Sequence, residues 1–215
     1  MNNFTQRVIS AVLLGGTIVY LLIQYEQFYK IFLFVILILM NIEWFQINKN
    51  KDSLLFYSGL LYISFPMMWL MRLSGTHKNI EVLWLLSIVW SCDTFAYLGG
   101  KLIGGPKFSP KISPNKTWSG VIVGSVCSFI VSYLYVKCIF HTSYYIRLIF
   151  TPFLIISSIL GDLLESRIKR ILGVKDSGNI IPGHGGILDR FDSFIFTTYM
   201  YIIYVVTESI YNLLK

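Results

Sequence analysis

Residues 118–140 read WSGVIVGSVCSFIVSYLYVKCIF, with one charged side chain, Lys137, in the whole stretch. A helix rises 1.5 Å per residue, so about 20 such residues cross the roughly 30 Å of hydrocarbon in a bilayer. Ordinary core helices do not need so long an apolar run. The pattern recurs outward in both directions, at about 7–24, 28–45, 54–71, 80–100, 146–165 and 191–211. The block at 28–45 is the least sharply bounded, because Glu43 sits near its end and the gap before it is short. Composition agrees, with 55% apolar and 13% charged residues, where a soluble domain carries about a quarter charged. These observations predict an all-α, polytopic integral membrane protein with about seven transmembrane helices, forming a single membrane domain over residues 1–215.

Residues 8–23, VISAVLLGGTIVYLLI, have the look of a signal peptide, but no small-x-small cleavage site closes them and several spans follow. They are expected to stay as the first helix. Cys92, Cys127 and Cys138 are isolated in or beside apolar segments and form neither a disulfide framework nor a zinc pattern. Gly15, Gly16 and Gly59 can allow close approach of helices.

Net charge is +7, and its distribution sets an orientation. With the N-terminus inside, the inner regions hold Arg7, Lys49, Lys51, Lys101, Lys107, Lys111, Lys116, Arg167, Lys169, Arg170, Lys175 and Arg190. The outer regions then hold Lys30, Arg72, Lys78, Lys137, Arg147 and Lys215. This asymmetry obeys the positive-inside rule, and inversion breaks it. The polar segments 99–117 and 166–190 therefore face the cytoplasm, where nucleotides and anionic lipid headgroups are found.

The acidic residues fall at the ends of spans. Asp93 lies in the fourth block, and Asp162, Glu165 and Ser166 end the sixth at a 0, 3, 4 spacing that puts all three on one helix face. Asp189 and Asp192 stand three apart where the seventh helix should begin. Each taken alone fits a helix cap or a partner for a neighbouring cation. Collected at three helix ends on one membrane face, opposite a surplus of lysine and arginine, they suggest a divalent metal with phosphate. Hard oxygen ligands suit magnesium.

Two glycine-rich stretches adjoin these acids. Residues 99–120, GGKLIGGPKFSPKISPNKTWSG, contain no P-loop pattern. Lys101, Lys107, Lys111 and Lys116, with Ser113, Thr117 and Ser119, can still wrap phosphates with charged and hydroxyl donors. The alternative is a solvated basic loop against anionic lipid. Pro106, Pro110 and Pro114 give the loop a defined shape. Pro182-Gly183-His184-Gly185-Gly186 brings a histidine between glycines just before an acid-rich helix start. Glycine permits close backbone approach to a ligand. His184 either donates to a phosphate oxygen or makes a structural hydrogen bond.

Residues 166–192, SRIKRILGVKDSGNIIPGHGGILDRFD, resemble the signature of the phosphatidate cytidylyltransferases, also called CDP-diacylglycerol synthases. A second resemblance covers Asp93 to Tyr97, Gly99, Gly104 and Ser113 to Gly120, and a third covers Gly161-Asp162-Leu163-x-Glu165-Ser166. Together they take in about half the chain. Where this chain has Ser119 the family commonly has glutamate. The resemblance implies transfer of a cytidylyl group from CTP to phosphatidic acid, giving CDP-diacylglycerol and pyrophosphate for phospholipid synthesis. It further implies one or two magnesium ions, a homodimer in the bacterial cytoplasmic (inner) membrane, and no nucleic-acid partner.

On that basis residues 80–215 are expected to form the catalytic region and residues 1–75 mainly scaffold. The first candidates for metal ligands are Asp162 and Asp189, followed by Asp192 and Asp176. Lys169, Arg170, Lys175 and Arg190 are candidate clamps for the triphosphate and the lipid phosphate. Ser113, Lys116, Thr117 and Ser166, with Gly183, Gly185 and Gly186, are candidate substrate contacts, and His184 a candidate catalytic group. Asp93 is either a substrate-binding acid acting behind the ligands or a structural partner. A CTP-dependent lipid or polyprenol kinase would need similar groups but would release CDP rather than pyrophosphate. A transporter would place its acids near the bilayer midplane.

Overall fold

The computed structural model describes residues 3–48, 53–73, 78–140, 144–180 and 185–213. Its helices are α1 (Asn3–Gln24), α2 (Glu26–Ile47), α3 (Ser53–Leu73), α4 (Lys78–Ile103), α5 (Trp118–Ile139), α6 (Tyr144–Ile171) and α7 (Leu188–Leu213). Six of the described helices are long and apolar enough to span a membrane, and α1 adds a shorter apolar segment, Gly15–Gln24. Apolar side chains such as Leu61, Ile130 and Ile149 stand exposed on helix surfaces, as lipid-facing positions require. Between α4 and α5 lies an antiparallel ribbon, β1 (Lys107–Ser109) with β2 (Ser113–Thr117), pairing Lys107 with Thr117 and Ser109 with Ser113. The chain divides into two compact units, one of residues 1–83 and 167–195, the other of residues 84–166 and 196–215.

In the first unit α2 packs on α3. The Trp44 indole donates to the Phe56 carbonyl at 3.0 Å. Its ring fills the space where a Cβ on Gly59 would stand. Gly16, by contrast, has nothing within 4 Å of a Cβ. The end of α6 runs past the expected boundary at 165 and stops in a Schellman turn. Gly173 takes φ 74°, Val174 N–H donates to Lys169 O at 2.9 Å, and Gly173 N–H donates to Arg170 O at 3.1 Å. Glycine is favoured there because a side chain resists positive φ. Lys169 and Arg170 are thus helical residues, not loop residues.

In the second unit α5 buries one residue per turn, Gly120, Gly124, Ser128, Ser132 and Val136. Four of these five face α4. A Cβ on Gly124 would come within 2.7 Å of the Cys92 carbonyl and 2.9 Å of the Ala96 side chain. The Ser128 hydroxyl donates to Ile88 O at 2.8 Å, and Ser132 accepts from the Trp84 indole at 2.8 Å while bonding Thr151 at 2.9 Å. With no hydrophobic drive between helices in lipid, close contact of small residues and interhelical hydrogen bonds hold such a seam. Arg147 is buried, paired with Glu208 at 3.3 Å, with its guanidinium 4.1 Å from the Phe140 ring.

Enlarging the seam is therefore expected to destabilise the protein. Gly124→Val should cost about 1–3 kcal/mol through overpacking, and Ser128→Ala about 0.6 kcal/mol. Gly16→Ala should be neutral. Thermal unfolding in detergent reads all three, and a neutral Gly124→Val contradicts the packing described.

Candidate active site

The ribbon and the turn before it place the first polar cluster. α4 ends with Gly104 N–H donating to Gly100 O at 3.2 Å, and Gly104 and Gly105 take φ 68° and 102°. The chain then turns into β1. Phe108 meets the Trp118 ring edge-on at 4.7 Å, and Trp118 N–H donates to Pro106 O at 3.1 Å. Thr117 is the N-cap of α5, its hydroxyl accepting from Gly120 N–H at 3.2 Å. Ser119 bonds Thr117 at 3.0 Å and donates to the Gly104 carbonyl. The ribbon presents Lys116 to α6, where its ammonium pairs with Asp162. Ser166, one turn along α6, donates to the same carboxylate at 3.3 Å. The one-face spacing expected for Asp162 and Ser166 is thus a contact. This ion pair keeps side-chain exposures of 26% and 28%.

The second cluster, in the other unit, surrounds the start of α7. Asp189 is buried in the first turn and accepts four hydrogen bonds. Lys169 Nζ approaches Oδ1 at 2.6 Å, Ser177 N–H reaches both oxygens at 3.1 and 2.9 Å, and Gly186 N–H donates to Oδ2 at 2.9 Å. Glu43, reaching in from α2, is fully buried. It accepts Ile187 N–H on Oε1 at 2.9 Å, and Leu188 N–H at 2.9 Å and the Ser177 hydroxyl at 3.0 Å on Oε2. An α-helix leaves its first N–H groups without intrahelical acceptors, and the helix dipole favours negative charge there. Glycines are demanded around these carboxylates. A Cβ on Gly178 would stand 2.7 Å from Glu43 Oε1, and one on Gly186 would strike the Ser177 hydroxyl and Glu43. Gly185 takes φ 85° beside Asp189.

In each unit a lysine ammonium stands on a carboxylate with hydroxyl or backbone N–H groups beside it, and ammonium, hydroxyl and N–H are the donors that phosphates take. Residues 52–208 match the Cytidylyltransferase family. The chain belongs to that family. Among its relatives, the phosphatidate cytidylyltransferase of Rickettsia bellii is 38% identical over 205 residues, covering 91% of this chain and 88% of its own. That of Rickettsia prowazekii is 40% identical over 204 residues, covering 91% and 89%. The Staphylococcus saprophyticus phosphatidate cytidylyltransferase is 43% identical over 157 residues, covering 70% of this chain and 59% of its own.

In this family member the other sequence candidates lie as follows. Ser113 begins β2, and Asp93 is exposed on α4. Arg170, Lys175, Asp176 and Arg190 are exposed, and Asp192 is half-buried in α7 with its carboxylate 2.6 Å from Ser193 N. Asp176 Cβ would lie 3.6 Å from a Cβ on Gly185. Gly183 and His184 lie outside the described residues. Among the described residues, no three His, Cys, Asp or Glu side chains gather closely enough to hold a metal between them. Sequence reading missed Glu43 as a member of the cluster. Its signal was present, since an ionisable residue in a membrane span usually has a partner to meet.

Breaking the buried pair by Lys169→Met leaves Asp189 without its cation. The expected loss is roughly 3–5 kcal/mol, read by thermal unfolding in detergent. In a double-mutant cycle with Asp189→Asn the two losses should fall short of additivity by at least about 1 kcal/mol. Additive losses contradict the pairing.

Proposed function

We propose that this protein transfers the cytidylyl group of CTP to phosphatidic acid, giving CDP-diacylglycerol and pyrophosphate. The observation that carries this reading is the pairing of buried or half-buried carboxylates with lysines, in a chain that belongs to the Cytidylyltransferase family. A phosphate oxygen of phosphatidate attacks the α-phosphorus of CTP, a new P–O bond forms, and the bond to the β-phosphate breaks to release pyrophosphate. The nucleophile is already an oxyanion and needs little help from a base. Catalysis then rests on positioning and on neutralising charge.

Lys116 and Thr117 on the ribbon, with Ser113 and Ser166, supply donors for phosphate oxygens. Lys169, Arg170, Lys175 and Arg190 supply cations for the triphosphate and the lipid phosphate, and Gly185 and Gly186 let backbone approach them. Asp162 and Asp189 are the residues we assign to magnesium, with Asp192 and Asp176 next. What supports this is that hard carboxylate oxygens suit magnesium and that each of the two leading acids holds a cation, Lys116 on Asp162 and Lys169 on Asp189. Magnesium held there would supply charge neutralisation on the substrate phosphates and the leaving pyrophosphate. The excess of lysine and arginine in segments 99–117 and 166–190 supports a site on the cytoplasmic face of the bacterial inner membrane. The family resemblance supports a homodimer.

Purified protein in phosphatidate–detergent micelles with magnesium and α-labelled CTP should move label into lipid while pyrophosphate appears. EDTA should abolish the reaction, and Asp189→Asn should slow it at least about a hundredfold. Label entering lipid from γ-labelled rather than α-labelled CTP would identify a lipid kinase and overturn the reading.

A further inference from the structure

The family match begins at residue 52, and the first three helices carry little that is polar. Glu43 stands out among the described residues there as a fully buried charged side chain. We propose that Glu43 is a positioning residue for cytidylyl transfer: from α2 it holds Ser177 and the backbone of residues 187–188 so that Asp189 and Lys169 keep the geometry that meets the substrate phosphates. The proposal rests on the activity proposed above.

Three observations carry it. Glu43 is fully buried and both its oxygens are committed, to Ile187 N–H on one side and to Leu188 N–H and the Ser177 hydroxyl on the other. A carboxylate merely tolerated in a span has no reason to be saturated by one loop. Secondly, Glu43 and Asp189 share their donors. Ser177 gives its hydroxyl to Glu43 and its N–H to Asp189, and Gly186 N–H on Asp189 directly precedes the two amides on Glu43. Displacing either acid therefore moves the other's partners. Thirdly, the backbone has been fitted around this side chain, since Cβ atoms on Gly178 and Gly186 would collide with it. Helix starts are usually capped by a residue next to them in sequence. Here the acceptor is 145 residues from Leu188, so it fixes where α7 starts relative to α2 within this unit.

Glu43→Gln separates positioning from packing. Glutamine keeps the shape, but offers one acceptor oxygen and turns an N–H towards an N–H. The expected result is a kcat lowered about 10- to 100-fold, as misplacement of catalytic groups by an ångström can produce. KM for CTP should stay within about threefold, and although the unmet buried amide lowers the unfolding temperature in detergent, the protein should remain fully folded at the assay temperature. Trypsin should cut after the exposed Lys175 faster than in the wild-type protein, because the loop is no longer anchored.

Wild-type kcat in Glu43→Gln overturns the proposal, as does a loss of kcat that only tracks a loss of folded protein. If Glu43→Gln does not fold, Ser177→Ala decides. A fall in kcat with unchanged unfolding temperature and faster cleavage supports the proposal, and unchanged kcat and cleavage overturn it. Should the wild-type protein label no lipid at all, the activity reading fails by itself. The rate of cleavage after Lys175 in the variants then still reports whether Glu43 anchors the loop.

Discussion

The start of α7 imposes the strictest constraint on this protein. Helix-forming backbone leaves N–H groups unpaired at its amino end, and where that end is buried there is little water to satisfy them. Here those groups are met by two carboxylates, Asp189 from the first turn of the helix and Glu43 from α2. One buried ammonium, Lys169, pairs with Asp189. The magnitudes show what such a cluster achieves. Hydrogen bonds to a charged group contribute about 1.5–3 kcal/mol each, so the three on Glu43 are comparable to the several kcal/mol lost in desolvating one ion. The net contribution to stability is therefore small. The cluster's effect is to fix geometry, because any rearrangement leaves a buried charge or a buried amide unmet.

The loop from Gly173 to Leu188 follows from that constraint. It leaves α6 through a Schellman turn whose positive φ suits Gly173, and returns to α7 with Gly178 and Gly186 stripped of side chains where Glu43 lies. The glycines that look in sequence like a phosphate cradle are thus first a requirement of the carboxylates beneath them.

Most helices were legible in the sequence because long apolar blocks have only one way to satisfy their backbone in lipid. Their ends were less so. α6 continues to Ile171 because nothing before Gly173 breaks it, although polarity falls off the membrane scale near Glu165. The ribbon at 107–117 escaped pattern reading, since a strand of SPNKT shows no alternation and carries a proline. The four-residue spacing of Gly120, Gly124, Ser128 and Ser132 is plain in the sequence, but spacing does not name the partner helix. The contact of Asp162 with Ser166 was legible because one helix carries both. The contact of Glu43 with residues 177–188 was not, because periodicity says nothing about contacts across more than 130 residues.

The two lysine–carboxylate pairs differ in how firmly they are held. Lys116 and Asp162 are about a quarter exposed, whereas Lys169 and Asp189 keep 10% and 5% side-chain exposure. A solvent-accessible pair is worth about 0–1 kcal/mol, so separating Lys116 from Asp162 costs little. Opening the buried pair leaves a charge stranded at a cost of roughly 3–5 kcal/mol. Asp189 is further held by the amides of Ser177 and Gly186, which do not leave with the lysine. The first pair can therefore open without disturbing its surroundings, whereas the second cannot open without unsettling the amides around the start of α7.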